Sequence, residues 1–575
     1  MSHGKRPNTP LRLHLSRTNG PGTDTPRSLA TLPTDVLFEV SRYIDLKADV
    51  LNFALAGKSL FFGLLPAVYD DVRLDTLEQC KATLAMLNRD PSIARHIQKL
   101  TVRFPSSASH SGGFPISVLL RTLAPKLDAL HTFIWDAGEI PQCDDMWFAL
   151  RISCPRLHTI GTSYGAKLPD SHSTLFQFKN LRGFRLALKP AFYDNHSDGL
   201  QELPSESRLW DMLIRRCPNL EELHISGAPF LPVSVVHPLC YARWPKLRSL
   251  SLGDIVLDWQ PRGGGVKPPF IAFLEAHPHL QMLRTSRAAL NPGFLSSLDK
   301  GALPNLTRFA GSLEQLQGLS QIYSQITSVA IDEPLVIRDM APLLAAGVLQ
   351  GLHCLTELRV ALVFQAAYEG GRLVRSIVNA CPRLTKLELI CARRPSFTLD
   401  TLAKIIGALP RLRQLRVTMV RARCEQSLKE CAALIARSNP QLRTFSITFI
   451  SPTLPPPIPL SADINVNGGK PAHPYLESGN YVLQTDEYGL PSSVVGTERR
   501  ALRSLSLPPI GITMPLPTLP LNTYTTKKYK YRFDLHPKSR KGLGAIFEKS
   551  VAGEEMRVLV LMLSLGGAAL WVFFS

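Results

Sequence analysis

Hydrophobic residues recur along most of the chain in a single repeated phrase. A turn residue is followed by an apolar-x-x-apolar-x-apolar segment, as in Leu220–Ile225 and Leu384–Leu389. Alternation with period two predicts a strand with one buried face. The phrase begins at Ile97, Leu130, Leu157, Leu181, Leu220, Leu247, Leu280, Leu306, Ile326, Leu355, Leu384, Leu412 and Leu442. The mean step is about 29 residues, and such a period indicates a repeat architecture.

Helical patterns lie between these strand phrases. Leu402, Ile405, Ile406 and Leu409 share one helical face, and Pro410 then ends the helix because proline cannot continue it. One strand and one helix in each repeat predict an α/β fold. We assign residues 76–450 to a βα solenoid of the leucine-rich-repeat type, with parallel strands on the concave side and helices on the convex side.

Residues 29–75 follow a different pattern. A helix that opens with Leu32–Pro33 carries Val36, Leu37, Val40 and Ile44 on one face. Two further short helices are predicted before residue 75. Three helices in fewer than 50 residues bury little apolar surface alone, so a partner or an adjoining domain is expected to complete them.

This segment resembles an F-box, the module by which receptor subunits of SCF-type ubiquitin ligases bind the Skp adaptor. The resemblance lies in Leu32–Ile44 and Lys58–Leu60. The chain departs from the family at Ala56–Gly57, where a Val/Thr-Ser/Cys pair is usual, and at Leu60, where many members carry Trp. An F-box followed by leucine-rich repeats is similar to a known class of substrate receptors. The alternative is a three-helix cap on the solenoid, since terminal repeats need a cover.

The resemblance implies a set of apolar side chains that bind the Skp-type adaptor and, through it, a cullin. They are Leu32, Pro33, Leu37, Val40, Ile44, Leu51, Leu55 and Leu60. Truncating a buried anchor typically costs a few kcal/mol, so we expect Leu37→Ala to weaken adaptor binding by roughly 2–4 kcal/mol. The implied function is substrate recognition, with ubiquitin transfer by other subunits. The chain itself is then not an enzyme and needs no cofactor.

Motifs for catalysis or metal binding are weak. Gly161–Gly165 fits the G-x-S-x-G pattern around Ser163, but the nucleophile elbow of a hydrolase needs a helix directly afterwards, and Ala166–Asp170 is a poor helix start. An esterase therefore remains a third hypothesis resting on Ser163 alone. No Cys-x-x-Cys pair and no phosphate-binding glycine loop occur, so we predict no metal site.

The net charge of +19, from 65 Lys and Arg against 46 Asp and Glu, is spread along the chain. No basic block stands out, which argues against a nucleic-acid-binding arm. Candidate client-binding cations lie on outward strand positions: Arg284, Arg359, Lys386, Arg413, Arg416 and Arg443. Such a row suits an acidic or phosphorylated client. A solvated face of mixed charge is the other interpretation, and the intervening acids favour it.

The two ends differ in composition from the rest. Residues 1–28 read as a disordered basic tail with no apolar core of a signal peptide, so we expect a cytoplasmic or nuclear protein. Residues 451–549 are predicted to be a Pro-rich linker or irregular cover. Residues 558–575 carry no charge, and Val558–Phe574 is long enough for either a membrane tail anchor or a buried terminal helix. The alternative function is thus a repeat scaffold tethered to a membrane.

Overall fold

The computed structural model describes residues 32–44, 47–104, 113–192, 204–227, 237–253, 267–286, 290–336, 341–363, 370–391, 395–421, 427–450, 475–485, 491–501 and 524–532. The chain divides into two compact units, Met1–Asp70 and Asp71–Ser575. The disordered tail and the apolar C-terminal segment predicted from the sequence lie outside the described residues.

The first unit contains three helices. They are α1 Thr34–Arg42, α2 Lys47–Leu55 and α3 Lys58–Tyr69. Proline at position 33 precedes α1, and the extended backbone of Gly57 precedes α3. Both α1 and α2 pack against α3, which contains most of the buried residues described in this unit.

The second unit is built on one mostly parallel sheet. Its strands are β1 Asp71–Leu74, β2 Lys99–Val102, β3 Thr132–Trp135, β4 Thr159–Tyr164, β5 Gly183–Leu188, β6 Glu222–Ser226, β7 Ser249–Leu252, β8 Met282–Arg284, β9 Arg308–Gly311, β10 Ser328–Val336, β11 Glu357–Val363, β12 Lys386–Cys391, β13 Gln414–Val420, β14 Thr444–Ile450, β15 Tyr475–Thr485, β16 Pro491–Ala501 and β17 Tyr524–Arg532. Each strand from β1 to β14 pairs in parallel with the next along the chain, which is the topology of a repeat solenoid.

Helices of the second unit connect the parallel strands. They are α4 Leu77–Arg89, α5 Pro91–Ala94, α6 Gly113–Leu123, α7 Asp145–Ser153, α8 Pro204–Asp211, α9 Pro269–Glu275, α10 Pro292–Leu295, α11 Leu313–Gly318, α12 Ala341–Gln350, α13 Gly370–Ala380, α14 Leu399–Ile406 and α15 Leu428–Ser438. Short helical turns at Ala124–Lys126, Thr174–Gln177, Met212–Arg216, Pro238–Tyr241 and Ser320–Gln325 complete the connections. Neighbouring helices such as α13, α14 and α15 pack on one another, so successive repeats share a continuous core.

The predicted repeat phrase matches the observed strands closely. Each strand from β2 to β14 begins two residues after one of the predicted start positions. The starting residue is 0% exposed at Leu220, Leu384 and Leu412, because it fills the turn that precedes each strand. The strand Asp71–Leu74 was not predicted as part of the sheet, and it pairs with β2.

The C-terminal end of the sheet lies within the Pro-rich stretch 451–549. Three regular antiparallel strands, β15 to β17, are formed there. Tyr481 of β15 stacks on Phe445 with ring centroids 4.9 Å apart, and its hydroxyl donates to the buried carboxylate of Glu498 at 2.9 Å. These contacts cover the apolar end that the last parallel strand would otherwise expose.

Candidate functional site

The first helix, α1, has one side that is buried and another apolar side that is exposed. Leu37 is 2% exposed and Ser41 is also buried, so this side of α1 faces the interior of its own unit. Val36 and Val40 are 40% and 41% exposed, and Tyr43 at the end of the helix is 80% exposed. Their spacing of i, i+4 and i+7 places the three on one line along the helix. We call Val36, Val40 and Tyr43 the α1 stripe.

Glycine in α3 allows the inner side of α1 to pack closely. A side-chain carbon added at Gly63 would lie 3.1 Å from the terminal methyl of Leu37. Leu64 of α3 is 0% exposed, as is Ala54 of α2, so the interior is apolar. The Ser41 hydroxyl donates to the Phe38 carbonyl at 2.6 Å, which satisfies this polar group within α1 itself. The inner side therefore holds the unit together, and the α1 stripe is not needed for that packing.

The eight residues predicted to bind the adaptor are distributed over three environments. Pro33, Val40 and Leu55 are exposed, while Leu32, Ile44 and Leu51 are half-buried. Leu37 and Leu60 are buried, at 2% and 5% exposed, inside their own unit. Contact of these two with a partner stays a prediction, and in this structure their side chains are buried within the chain itself.

Among the described residues of this unit, the large apolar side chains of Val36, Tyr43 and Phe62 are exposed and were absent from the predicted set. Phe62 of α3 is 59% exposed, and its ring meets that of Phe61 edge-on at 5.9 Å. Val36 and Tyr43 could have been found from the i, i+4, i+7 spacing with Val40. Nothing in the sequence pattern separates Phe62 from the buried residues around it.

Charged groups of this unit form exposed pairs. Arg42 lies 3.0 Å from Glu39 and over the ring of Phe38, and Lys47 lies 2.9 Å from Asp70. Exposed pairs of this kind contribute about 0–1 kcal/mol each. The distinguishing property of the surface of α1 is thus its apolar stripe rather than its charge.

A charge ladder crosses the solvent face of the sheet in the second unit. Arg284 lies 2.8 Å from Asp332, Arg359 lies 3.8 Å from Glu388, and Arg416 lies 3.6 Å from that same Glu388. We call these five residues the charge ladder. The register places Arg359, Glu388 and Arg416 side by side on β11, β12 and β13.

The carboxylates of the ladder change the interpretation of the predicted cationic row. Arg284 and Arg359 have side chains only 14% and 16% exposed, and each faces an acid across the sheet. Burial raises the pKa of Asp332, and the nearby guanidiniums of Arg284 and Arg359 oppose that rise. At these two positions opposite charges offset the guanidiniums, as in the mixed-charge interpretation, and client binding by Arg284 and Arg359 stays a prediction.

The remaining predicted cations are more accessible. Lys386 lies 3.9 Å from Glu357, with its side chain 37% exposed. Arg413 precedes β13 and donates to the backbone carbonyl of Gln441 at 3.0 Å, and the exposed Arg443 precedes β14. Of the predicted set, Lys386 and Arg416 therefore lie on strands of the sheet, and Arg413 and Arg443 lie in the turns before β13 and β14.

The candidate nucleophile lies in a strand. Ser163 belongs to β4, is 0% exposed, and donates its hydroxyl to the carbonyl of Ala137 at 2.7 Å. No helix follows directly, because residues 165–173 form a loop. The geometry of a nucleophile elbow, with its exposed serine at a strand-to-helix turn, is therefore not formed here.

Cysteines of the repeat turns are core residues. Cys154, Cys217 and Cys381 are at most 2% exposed, and burial raises the pKa of the Cys154 and Cys381 thiols to about 12. Across the described ranges, no group of three or more His, Cys, Asp or Glu side chains is arranged to hold a metal ion. Within the same ranges, no helix combines the length and apolarity required to cross a bilayer.

Comparisons with known proteins give low similarity. No protein-family model matches the chain, and no curated protein matches its sequence. A chain from the crystal structure of the Rad7 and Elc1 complex in yeast is 15% identical over 69% of this chain and 93% of that chain, with a TM-score of 0.38. The leucine-rich repeat-containing protein LegL7 from Legionella pneumophila is 13% identical over 59% and 97%, with a TM-score of 0.32. The assignment of a repeat solenoid therefore rests on the strand register of the chain itself.

Proposed function

We propose that the chain is the substrate-recognition subunit of an SCF-type ubiquitin ligase. In this proposal the first unit is an F-box that docks a Skp-type adaptor, and the repeat solenoid binds the protein client. The observation that carries it is the α1 stripe, a line of exposed apolar residues on a helix whose opposite side already forms the core of its unit.

The spacing of the α1 stripe suits a partner with a groove. Anchors at i, i+4 and i+7 are the pattern by which an amphipathic helix lies in an apolar groove. Tyr43 provides a large aromatic side chain next to Val40, and aromatic residues are over-represented among the anchors that dominate binding energy. Leu37 acts differently in this proposal, since it positions α1 from the inside.

The client surface is proposed on the solvent face of the sheet. Arg416 and Lys386 are its most accessible cations among the predicted set, and the exposed Arg443 lies just before β14. An acidic or phosphorylated segment would meet them without first breaking the pair between Arg284 and Asp332. The chain would then act by holding its client near the conjugating enzyme, in the cytoplasm or the nucleus, so that proximity supplies the rate enhancement.

Adaptor capture tests the proposal. Full-length chain carrying Val40→Asp and Tyr43→Asp should fail to retain a purified Skp-type adaptor, because two charges would enter the apolar interface. Glu39→Gln changes an exposed residue of the same helix and serves as the matched control. Retention of the adaptor by the Asp variant at the level of the control would refute the proposal.

A further inference from the structure

The antiparallel strands at the C-terminal end of the sheet continue its two faces. Tyr481 of β15 is 1% exposed, whereas its neighbours Asn480 and Val482 are exposed. The register sets Asn480 opposite Ser446 of β14, and Ser446 opposite Arg416 of β13. The exposed side of β15 is therefore an extension of the solvent face that carries the charge ladder.

Carboxylates are confined to the other face of these strands. Glu477 of β15 lies opposite Phe449 in the register and pairs with Arg421 at 3.2 Å. Glu498 of β16 is 3% exposed and accepts a hydrogen bond from Tyr481. These two are the only acidic residues in the sequence of β13 to β17. Over the described strands β13 to β17, the solvent face thus carries no carboxylate, in contrast to β10 and β12, which supply the acids of the charge ladder.

Basic residues occupy the solvent face of the last two strands. Arg499 of β16 is exposed and lies on the same face as Asn480 and Val482. The register assigns three residues of β17 to that face, and they are Lys528, Lys530 and Arg532. We call these four cations the basic edge. Positive charge is therefore concentrated where the sheet face has no acid.

The last strand also forms the edge of the sheet. On one side β17 pairs with β16, and no described strand pairs with its other side. An open edge of this kind has backbone N–H and C=O groups with which an extended peptide can pair. Residues on one face of a strand recur about every 6.6 Å, and an added strand has the same spacing. Each cation of β17 can then have one side chain of the added strand beside it.

We propose that β17 binds an acidic segment of a protein partner as an added strand, with Asp or Glu at alternate positions beside the basic edge. Opposite charges on neighbouring strands stabilise the pairing, and a basic segment would be repelled. Identifying the bound segment as the client rests on the proposed function. The binding itself uses the second unit alone and does not require the adaptor.

Placement of the aromatic residues favours a peptide over single-stranded nucleic acid. Binding of single strands combines cations with aromatic residues on which the bases stack. Tyr529 and Tyr531 align through β16 with Tyr481 and Leu483, so the register puts them on the opposite face from the basic edge. No aromatic residue stands between the cations of β17 on their own face.

Fluorescence anisotropy tests the proposal with the full chain and a labelled peptide of alternating Glu and Thr. We expect saturable binding that weakens as the salt concentration rises. A peptide of alternating Gln and Thr keeps the backbone groups but lacks the charges, and it should bind about tenfold more weakly. Lys528→Gln combined with Lys530→Gln should weaken binding of the Glu peptide by about three- to tenfold.

Lys527→Gln is the matched control, because it removes a charge from the same strand on the opposite face. The register aligns Lys527 with Glu498 rather than with the basic edge. This variant should bind the Glu peptide like the unmodified chain. Backbone amide exchange in β17 should slow when the Glu peptide is bound, since the added strand would pair with the open edge.

Several results would overturn the proposal. Equal affinity for the Glu and Gln peptides, or an equal loss in Lys527→Gln and in the double variant, would leave the lysines as protection of the edge against pairing. Unchanged amide exchange in β17 would exclude an added strand. Tighter binding of a single-stranded oligothymidine of the same charge would assign the basic edge to nucleic acid.

The same proteins separate this inference from the proposed function. Adaptor capture without binding of the Glu peptide would contradict the inference alone. Binding of the Glu peptide without adaptor capture would contradict the proposed function and leave the peptide site in place.

Discussion

Truncating side chains on opposite sides of α1 should have different effects on the stability of the first unit. Leu37 is 2% exposed, so Leu37→Ala should destabilise the first unit by about 2–5 kcal/mol, the usual cost of a core leucine. Tyr43 is 80% exposed, and Tyr43→Ala should change stability by no more than about 0.5 kcal/mol.

The binding effect of Tyr43 follows from the area it offers to a partner. Aromatic side chains bury about 150–250 Å² each, so covering the exposed four-fifths of this ring would remove about 120–200 Å² from water. At about 25 cal/mol per Å² this sets an upper limit of about 3–5 kcal/mol. Allowing for the ordering of the side chain, we expect a loss of about 2 kcal/mol, or about thirtyfold in Kd.

Titration calorimetry with a Skp-type adaptor, combined with urea unfolding of the same proteins, measures both effects. Tyr43→Ala should bind more weakly with an unchanged unfolding midpoint. Leu37→Ala should show a lower midpoint, and any loss of binding should follow the loss of folded protein. The reasoning fails if Tyr43→Ala binds like the unmodified chain while Leu37→Ala loses affinity at full stability.

Three further predictions concern the second unit. Thr162→Val should leave stability unchanged or raised, because the hydroxyl has no partner, whereas Ser163→Ala should cost about 1 kcal/mol in urea unfolding. Asp332→Ala removes the carboxylate 2.8 Å from Arg284 and should lower stability by about 3 kcal/mol; no change in the urea midpoint would contradict the charge ladder. Burial lowers the pKa of His237 to about 3. As the pH falls, the unfolded chain therefore takes up a proton on this residue before the folded chain does. The free energy of unfolding should then fall by about 1.4 kcal/mol per pH unit from about pH 6.5 down towards pH 3. His237→Asn keeps a capping acceptor without this titration, and an equally steep fall in its stability would contradict the assignment.

Strand positions in the solenoid could be predicted from the sequence because each repeat contains a short pattern that marks where its strand begins. A buried leucine in the turn is followed by period-two alternation, and both features lie within six residues, as in Leu384–Leu389. The strand β1 has no such leading leucine, since Tyr69 stands two residues before it, and the pattern does not predict this strand. The strands after residue 474 pair antiparallel and follow no repeat, so their register could not be anticipated.

Placement of side chains on α1 could not be predicted to the same degree. Adjacent residues lie about 100° apart around a helix, so Val36 and Leu37 belong to one broad apolar face. Periodicity shows how wide the apolar face is, but it does not show which part of that face packs against the rest of the chain. Leu37 is the buried residue because Gly63 allows α3 to approach it closely, and Gly63 lies on a different helix.

The pair between Arg284 and Asp332 escaped prediction for a related reason. Arg284 reaches Asp332 across an intervening strand, because the register opposes it to Ala310 and then Ala330, whose small side chains leave the space open. The sequence identified the cations as outward-facing. Asp332, which lies 2.8 Å from Arg284, comes from a strand whose register is fixed only by the fold.

The central claim is that the α1 stripe is the adaptor-docking surface. Hydroxyl-radical footprinting of the full chain tests it at one side chain, because Tyr43 is 80% exposed and Tyr241 in the second unit is 67% exposed. On addition of a Skp-type adaptor, oxidation of Tyr43 should slow severalfold while that of Tyr241 stays constant. Equal oxidation of Tyr43 with and without bound adaptor would contradict the account.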